Sequence, residues 1–268
     1  MTATVASGVS PFLDALQRDA ALPPSSLPAW AAGLRRQGCA ELERLGLPSA
    51  DQEAWRFTDL KQLRKLAFSA PARERGRVEV PPSRLLVPES SVHRCVFVDG
   101  RPLVDGAIPS GDGFTLRPLA EALSQGGVDL EPLLGRLAPA EEGFFTALNA
   151  AFLGDGVLVQ VAPDRAPDRP IHLVFASLPG DPAPRVHPRV ILLLGRGARA
   201  VVVEEYISLG EGPAFTNPVT EVDLGDDAAL EHVRLLRENE QTFHLGGIAV
   251  RQGRDSRYTG HSISLGGR

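Results

Sequence analysis

Cysteine, lysine, tryptophan and tyrosine are all scarce in this chain. Its two cysteines, Cys39 and Cys95, stand 56 residues apart in 268. That excludes a disulfide framework and a Cys-x-x-Cys metal pair, and leaves two reduced, mostly packed thiols as the expected state. Basic charge is in deficit. Lys61 and Lys65 are the only lysines, and 28 Lys and Arg against 33 Asp and Glu give a net charge of −5. A general nucleic-acid binder needs a concentrated basic excess, so that class is excluded. No apolar run approaches the ~18 residues of a membrane span. Met1 to Ser10 lacks the basic and apolar regions of a secretion signal. The expected setting is the cytoplasm, with no membrane partner.

What is present suffices for a core, since 43% of residues are hydrophobic. Ser10-Pro11 opens a first helix, Ser as cap and Pro at the first helical position, with Phe12, Leu13 and Leu16 as its apolar face. The proline-rich run Leu22 to Pro28 breaks it. A second helix runs from about Ala29 to Leu45, weakened by Gly33 and Gly38 and closed by Gly46 and Pro48. In Glu53 to Leu60, Thr58 or Asp59 caps a short helix bearing Leu60, Leu63, Leu66 and Ala67. Trp55 and Phe57 are expected to anchor this region onto the solenoid end rather than to form a ligand platform, and Glu53 to pair with Arg56. Pro71 to Glu89 reads as linker or extended chain, and Arg94 to Val98 as a strand closed by the Asp99-Gly100 turn. Short helices are expected at Leu119 to Leu123 and Leu130 to Leu137. A clearer one spans Glu141 to Leu153, with Phe145, Leu148 and Phe152 as a buried stripe, Asn149 beside it, and Gly154-Asp155-Gly156 as its stop.

From Val157 the apolar period changes from 3.6 to 2, and strand follows strand to Arg268. Turns recur at Leu194-Gly195-Arg196-Gly197-Ala198, Leu224-Gly225-Asp226-Asp227-Ala228 and Val250-Arg251-Gln252-Gly253-Arg254. Their starts, Gly195, Gly225 and Arg251, are 30 and 26 residues apart, and a weaker copy at Val161-Ala162-Pro163-Asp164 lies 33 residues before Gly195. A long period made of strand and turn signals points to stacked coils of parallel β-structure, a β-solenoid. An antiparallel sandwich would place turns every ~8–12 residues without a longer repeat.

Chemical candidates are few. His93, His172, His187, His232, His244 and His261 include no close ligand pair, and turn or surface imidazoles are expected. A transient iron site using His244 or His261 with a carboxylate is the sharper possibility. Glu204 and Glu205 are adjacent on a strand and point to opposite faces, so they cannot act on one substrate atom. One of them is expected to pair with Arg199 or Arg234. Arg251, Arg254 and Arg257 surround a turn with Asp255, which suggests local ion pairing before an anion site. Ser262 and Ser264 lack the Gly-x-Ser-x-Gly setting of a hydrolase nucleophile. No residue is assigned a catalytic, cofactor or metal role.

Several stretches resemble the SufB/SufD family of iron–sulfur cluster assembly proteins: Glu53 to Leu60 (EAWRFTDL), Phe145 to Gly156 (FTALNAAFLGDG), Val201 to Gly210 (VVVEEYISLG), Phe215 to Val222 (FTNPVTEV) and the long run Glu231 to Arg268. The first of them looks like the SufD branch rather than SufB. The likeness is weakest from Pro71 to Leu137. The resemblance implies an α+β N-terminal region followed by a right-handed parallel β-helix, divided as 1–70 helical, 71–153 linker with mixed segment, and 154–268 coils. It implies a non-catalytic scaffold of the Suf complex that pairs with SufB and with the ATPase SufC. No stably bound cofactor is implied, only transient iron or an iron–sulfur cluster in the full complex. No phosphate loop occurs here. Family members continue past the position of Arg268, so the β-helix is expected to be truncated, with the partner contacts beyond it and no binding of SufC by this chain alone. The competing class is a β-helix enzyme acting on polysaccharides, which would need carboxylates gathered on one face and an aromatic sugar platform.

Overall fold

The computed structural model describes residues 10–20, 27–71, 78–103, 108–111, 113–125, 127–154 and 156–268. The breaker at 22–26, the first nine residues, residues 72–77 of the extended stretch and Asp155 of the helix stop lie outside the described residues. Helices α1 (Pro11–Ala20), α2 (Ala29–Leu45) and α3 (Lys61–Arg64) come first. They are followed by strands β1 (His93–Val98), β2 (Arg101–Pro102), β3 (Ser110–Gly111) and β4 (Phe114–Pro118), then by α4 (Leu119–Gln125) and α5 (Phe144–Ala151). The remainder is β5 (Gly156–Val161), β6 (Ile171–Ser177), β7 (Arg185–Val186), β8 (Arg189–Leu194), β9 (Arg199–Ser208), β10 (Ala214–Thr216), β11 (Val219–Leu224), β12 (Ala229–Arg237), β13 (Thr242–His244), β14 (Gly247–Gln252) and β15 (Arg257–Ser264).

These strands stack into three sheets, in the orders β15-β12-β9-β6-β1-β2, β14-β11-β8-β5-β4-β3 and β13-β10-β7. Successive coils pair in parallel, as a solenoid requires, and the expected architecture of helical region followed by stacked parallel coils holds. The first coil is closed by antiparallel strands, β4 on β5 and β2 on β1, the latter through Asp99 and Gly100 at φ 49° and 81°. Register aligns Val161, Leu194, Leu224 and Gln252. The turns therefore begin at Ala162, Gly195, Gly225 and Gly253, and the last interval is 28 residues, not 26. The expected start at Arg251 fails because β14 runs two residues further, with Arg251 opposite Asp223. Each turn places its third residue in the left-handed region: Asp164, Gly197, Asp227 and Asp255 have φ of 57°, 68°, 59° and 57°. Aspartate and glycine are among the residues that tolerate this conformation.

Alternation decides what fills the solenoid. Val157, Val159, Ile171, Leu173, Val190, Leu192, Val202 and Val222 point inward and are fully buried. Phe97, Phe175 and Tyr206 stack across three coils, with centroids 5.2 and 5.1 Å apart and planes within 18°.

The helices cover the outside. α2 spans the expected residues, but Gly38 is no flaw in it. A Cβ there would lie 2.5 Å from the Ala151 nitrogen and 2.8 Å from the Ala147 carbonyl oxygen, so Gly38 is what lets α2 lie against α5. Ser10 ties α1 to α3 by donating from its hydroxyl to the Arg64 carbonyl. Asp59 accepts from the Lys61 amide at the start of α3. Trp55 packs on Phe145 of α5 at 5.3 Å, so its anchor is a helix rather than the solenoid end expected, and Phe57 is 93% exposed and anchors nothing. Arg56 lies over the Phe57 ring at 5.5 Å. Asn149 donates to the carbonyls of Pro188 and Asn217, both at 2.9 Å, and so pins α5 to the coils.

The helix expected at Leu130 to Leu137 is a run of turns instead. Glu221 explains why. Its carboxylate leaves β11 and accepts from the amides of Gly135, Leu137 and Ala138 at 2.9, 2.9 and 3.2 Å. Those amides are thereby taken from the i−4 carbonyls that a helix over Leu130 to Leu137 would need. On the opposite side, residues 78–87 run extended over the sheet, with Val78, Val80 and Leu85 against Val98, Val174, Ala176 and Ile207.

A Gly38→Leu substitution forces α2 away from the α5 backbone. We expect a loss of about 1–3 kcal/mol in urea unfolding, with the β-structure signal in circular dichroism retained in the native state.

Candidate functional site

A buried polar cluster lies inside the solenoid, where the filling changes from aliphatic to charged. β9 directs Val202, Glu204 and Tyr206 inward; β12 directs His232 and Arg234 inward from the next coil. Glu204 and Arg234 are direct register partners, as are Val202 and His232. The Glu204 carboxylate is fully engaged. It accepts from Thr220 at 2.8 Å and Tyr206 at 2.7 Å, meets His232 Nε2 at 3.0 Å, and lies 3.5 Å from Arg234 Nε. His232 Nδ1 is 2.9 Å from the Tyr258 hydroxyl on the following coil. Burial alone would raise the pKa of Glu204. The Arg234 guanidinium, with His232 and the Tyr206 hydroxyl, instead holds this carboxyl well below the usual range. Burial beside Glu204 pushes the Tyr206 phenol well up.

Glu205 projects to the outer face, as alternation requires, and serves a second cluster. It lies 2.5 Å from Arg237 and 2.9 Å from His172, and accepts from the Leu86 amide. The expected pairing of one glutamate with Arg234 is thus present, and the other glutamate is paired as well. The signal for both pairs was available in the sequence: Arg234 follows Glu204, and Arg237 follows Glu205, by about one coil.

Three of the histidines are not the turn or surface imidazoles expected, whereas His261 is exposed as expected. His172, His187 and His232 are buried, because each has a polar side chain within reach across the coils. His187 sits 3.1 Å from Asn217 and stacks on Phe152 at 5.0 Å. Burial, with the Arg185 cation next to it, pushes its pKa down to about 3. His93 contacts Asp168 at 2.6 Å. His244 and His261 do have carboxylate neighbours, Glu238 at 2.7 Å and Glu231 at 4.0 Å. Each is one imidazole with one acid. Among the described residues no group of three or more His, Cys, Asp or Glu is placed to hold a metal ion.

Arg251 is bound to Asp223 at 2.8 and 2.5 Å, and Arg254 lies 3.8 Å from Asp226, while Arg257 is exposed. Ser262 and Ser264 are exposed on β15. Cys95 is buried, which pushes its thiol up to about 11, and burial raises Cys39 too, so both are protonated at neutral pH. Trp30 and Trp55 belong to the helical packing, and Tyr206 to the interior. No described helix is long and apolar enough to cross a membrane.

Comparison with known proteins agrees with this architecture. A family model described as the SufBD protein N-terminal region matches residues 17–173. A second, for the SufBD core domain of SUF system FeS cluster assembly, matches residues 178–268. An iron–sulfur cluster assembly SufBD family protein of Synechocystis is 29% identical over 249 residues, covering 87% of this chain and 54% of its own length. The iron–sulfur cluster assembly protein SufD of Escherichia coli is 26% identical over 237 residues, covering 87% and 52%. The chloroplastic protein ABCI7 of Arabidopsis thaliana is 26% identical over 256 residues, covering 92% and 52%. The chain spans about half the length of these curated relatives.

A histidine held neutral at a pKa of about 3 takes up a proton on unfolding wherever the unfolded side chain is charged. His187 therefore contributes stability that is present above the unfolded value of ~6.5 and is lost as pH falls below it. Its contribution to the slope approaches about 1.4 kcal/mol per pH unit between those limits. Urea unfolding at a series of pH values between 7 and 4 should show a shallower slope for His187→Gln than for the parent chain.

Proposed function

Because this chain belongs to the SufBD family, we propose that it acts in iron–sulfur cluster assembly as a scaffold subunit without catalysis of its own. Its partners in this reading are SufB and SufC, and its setting is the cytoplasm. Iron or a cluster is cargo of the complex rather than a resident group of these residues. The observation that carries the reading is the contiguous family match, 17–173 for the N-terminal region and 178–268 for the core.

The state of the charged residues supports the absence of catalysis. Glu204 and Glu205 are both inaccessible, back to back, and committed to arginine and histidine partners. A polysaccharide-cleaving β-helix needs such carboxylates free on one outer face.

Deleting the gene in the cells that make this protein should lower the activity of their iron–sulfur enzymes several-fold under iron limitation, with recovery on re-expression. A tagged copy expressed from the whole gene should recover SufB and SufC from the same cells, whereas the 268-residue chain alone should not recover SufC. Unchanged iron–sulfur enzyme activity, or polymer cleavage by the purified chain, would sink the proposal.

A further inference from the structure

We propose that residues 78–87 are a strap that opens as a unit while the solenoid under it stays folded. This goes beyond the assembly reading and does not depend on it. The strap is held by means unlike those that hold the coils. Pro81, Pro82 and Pro88 have no N–H to give to a strand edge, and residues 78–87 contain one 3₁₀ turn and no strand. Solenoid side chains clamp its main chain instead. The Leu86 amide donates to Glu205 Oε1 at 3.3 Å, the Arg84 carbonyl accepts from Arg237 Nη1 at 2.7 Å, and the Val87 carbonyl accepts from Arg94 Nη2.

Those clamps belong to one ionic cluster with members on several elements, buried at His172 and Glu205 and part-exposed at Arg237. Glu205 comes from β9, Arg237 from β12, His172 from β6 and Arg94 from β1. Arg94 Nε donates to His172 Nδ1 at 3.2 Å, and His172 Nε2 lies 2.9 Å from Glu205 Oε2. The side chains of His172 and Glu205 are fully shielded from water while the strap is closed. Keeping the Glu205 carboxylate and the polar groups around it dry is costly, so closing the strap is opposed by their desolvation. Opening returns water to them and offsets part of the loss of Val78, Val80 and Leu85 from the sheet. The strap is thereby set at the low-stability end of the molecule, and the laddered coils at the high end. What opening uncovers is an apolar strip, Val98, Val174, Ala176 and Ile207, bordered by the cluster.

Hydrogen exchange on the 268-residue chain tests this. The Leu86 amide should exchange at least about tenfold faster than the β9 amides between Val201 and Ile207, which open only with the solenoid. Arg237→Gln removes one clamp and should speed Leu86 by about a further tenfold without moving the β9 amides. Trypsin under native conditions should cut after Arg84 faster in the same variant, the site being read by mass spectrometry. The strap is refuted if Leu86 exchanges in step with β9 in the parent chain. It is equally refuted if the variant accelerates both regions alike, or neither.

Discussion

The position of the helical layer on the solenoid depends on Arg189. Apolar packing between α2, α5 and the outer sheet face is strong but not directional. Arg189 supplies the direction. Its Nη1 donates to Asn149 of α5 at 3.1 Å, its Nε and Nη2 to Glu221 at 3.0 and 2.6 Å, and its Nη2 also to the Ala138 carbonyl at 3.2 Å. Arg189, Glu221 and Asn149 are all 2% exposed or less. One cation thus joins a helix, a loop and two successive coils. Removing either charge would leave the other stranded at a cost of about 3–5 kcal/mol, which fixes the layer in one place.

The same rule governs the interior and the outer sheet face. Adjacent glutamates on β9 serve opposite sides: Glu204 holds the interior together across β11 and β12, and Glu205 holds residues 78–87 to the exterior. Both are joints between segments far apart in sequence, and Glu204 keeps its charge because its partners outweigh burial.

Much of this was legible in the sequence. The coils announce themselves through turns that follow apolar strand ends, and α2 and β1 through local punctuation. Alternation alone separated Glu204 from Glu205. What stayed hidden was set by distant partners. Leu130 to Leu137 has helical composition, but the acceptor that bends it, Glu221, lies more than 80 residues on. Phe57 looks like core by type, yet the turn after Trp55 sends it outward. The buried histidines could not be placed before the register was known, since their partners sit one coil away. The charge pairs at coil spacing were the available clue.

A solenoid whose coils are filled alike can gain or lose one by gene duplication or deletion with little penalty. This interior cannot. Glu204 needs Arg234 and His232 one coil along, and His232 needs Tyr258 on the coil after that. An inserted or deleted repeat would part those groups and bury unpaired charge. The charged interior therefore makes this part of the solenoid incapable of changing length one coil at a time during evolution, although its turns would permit it.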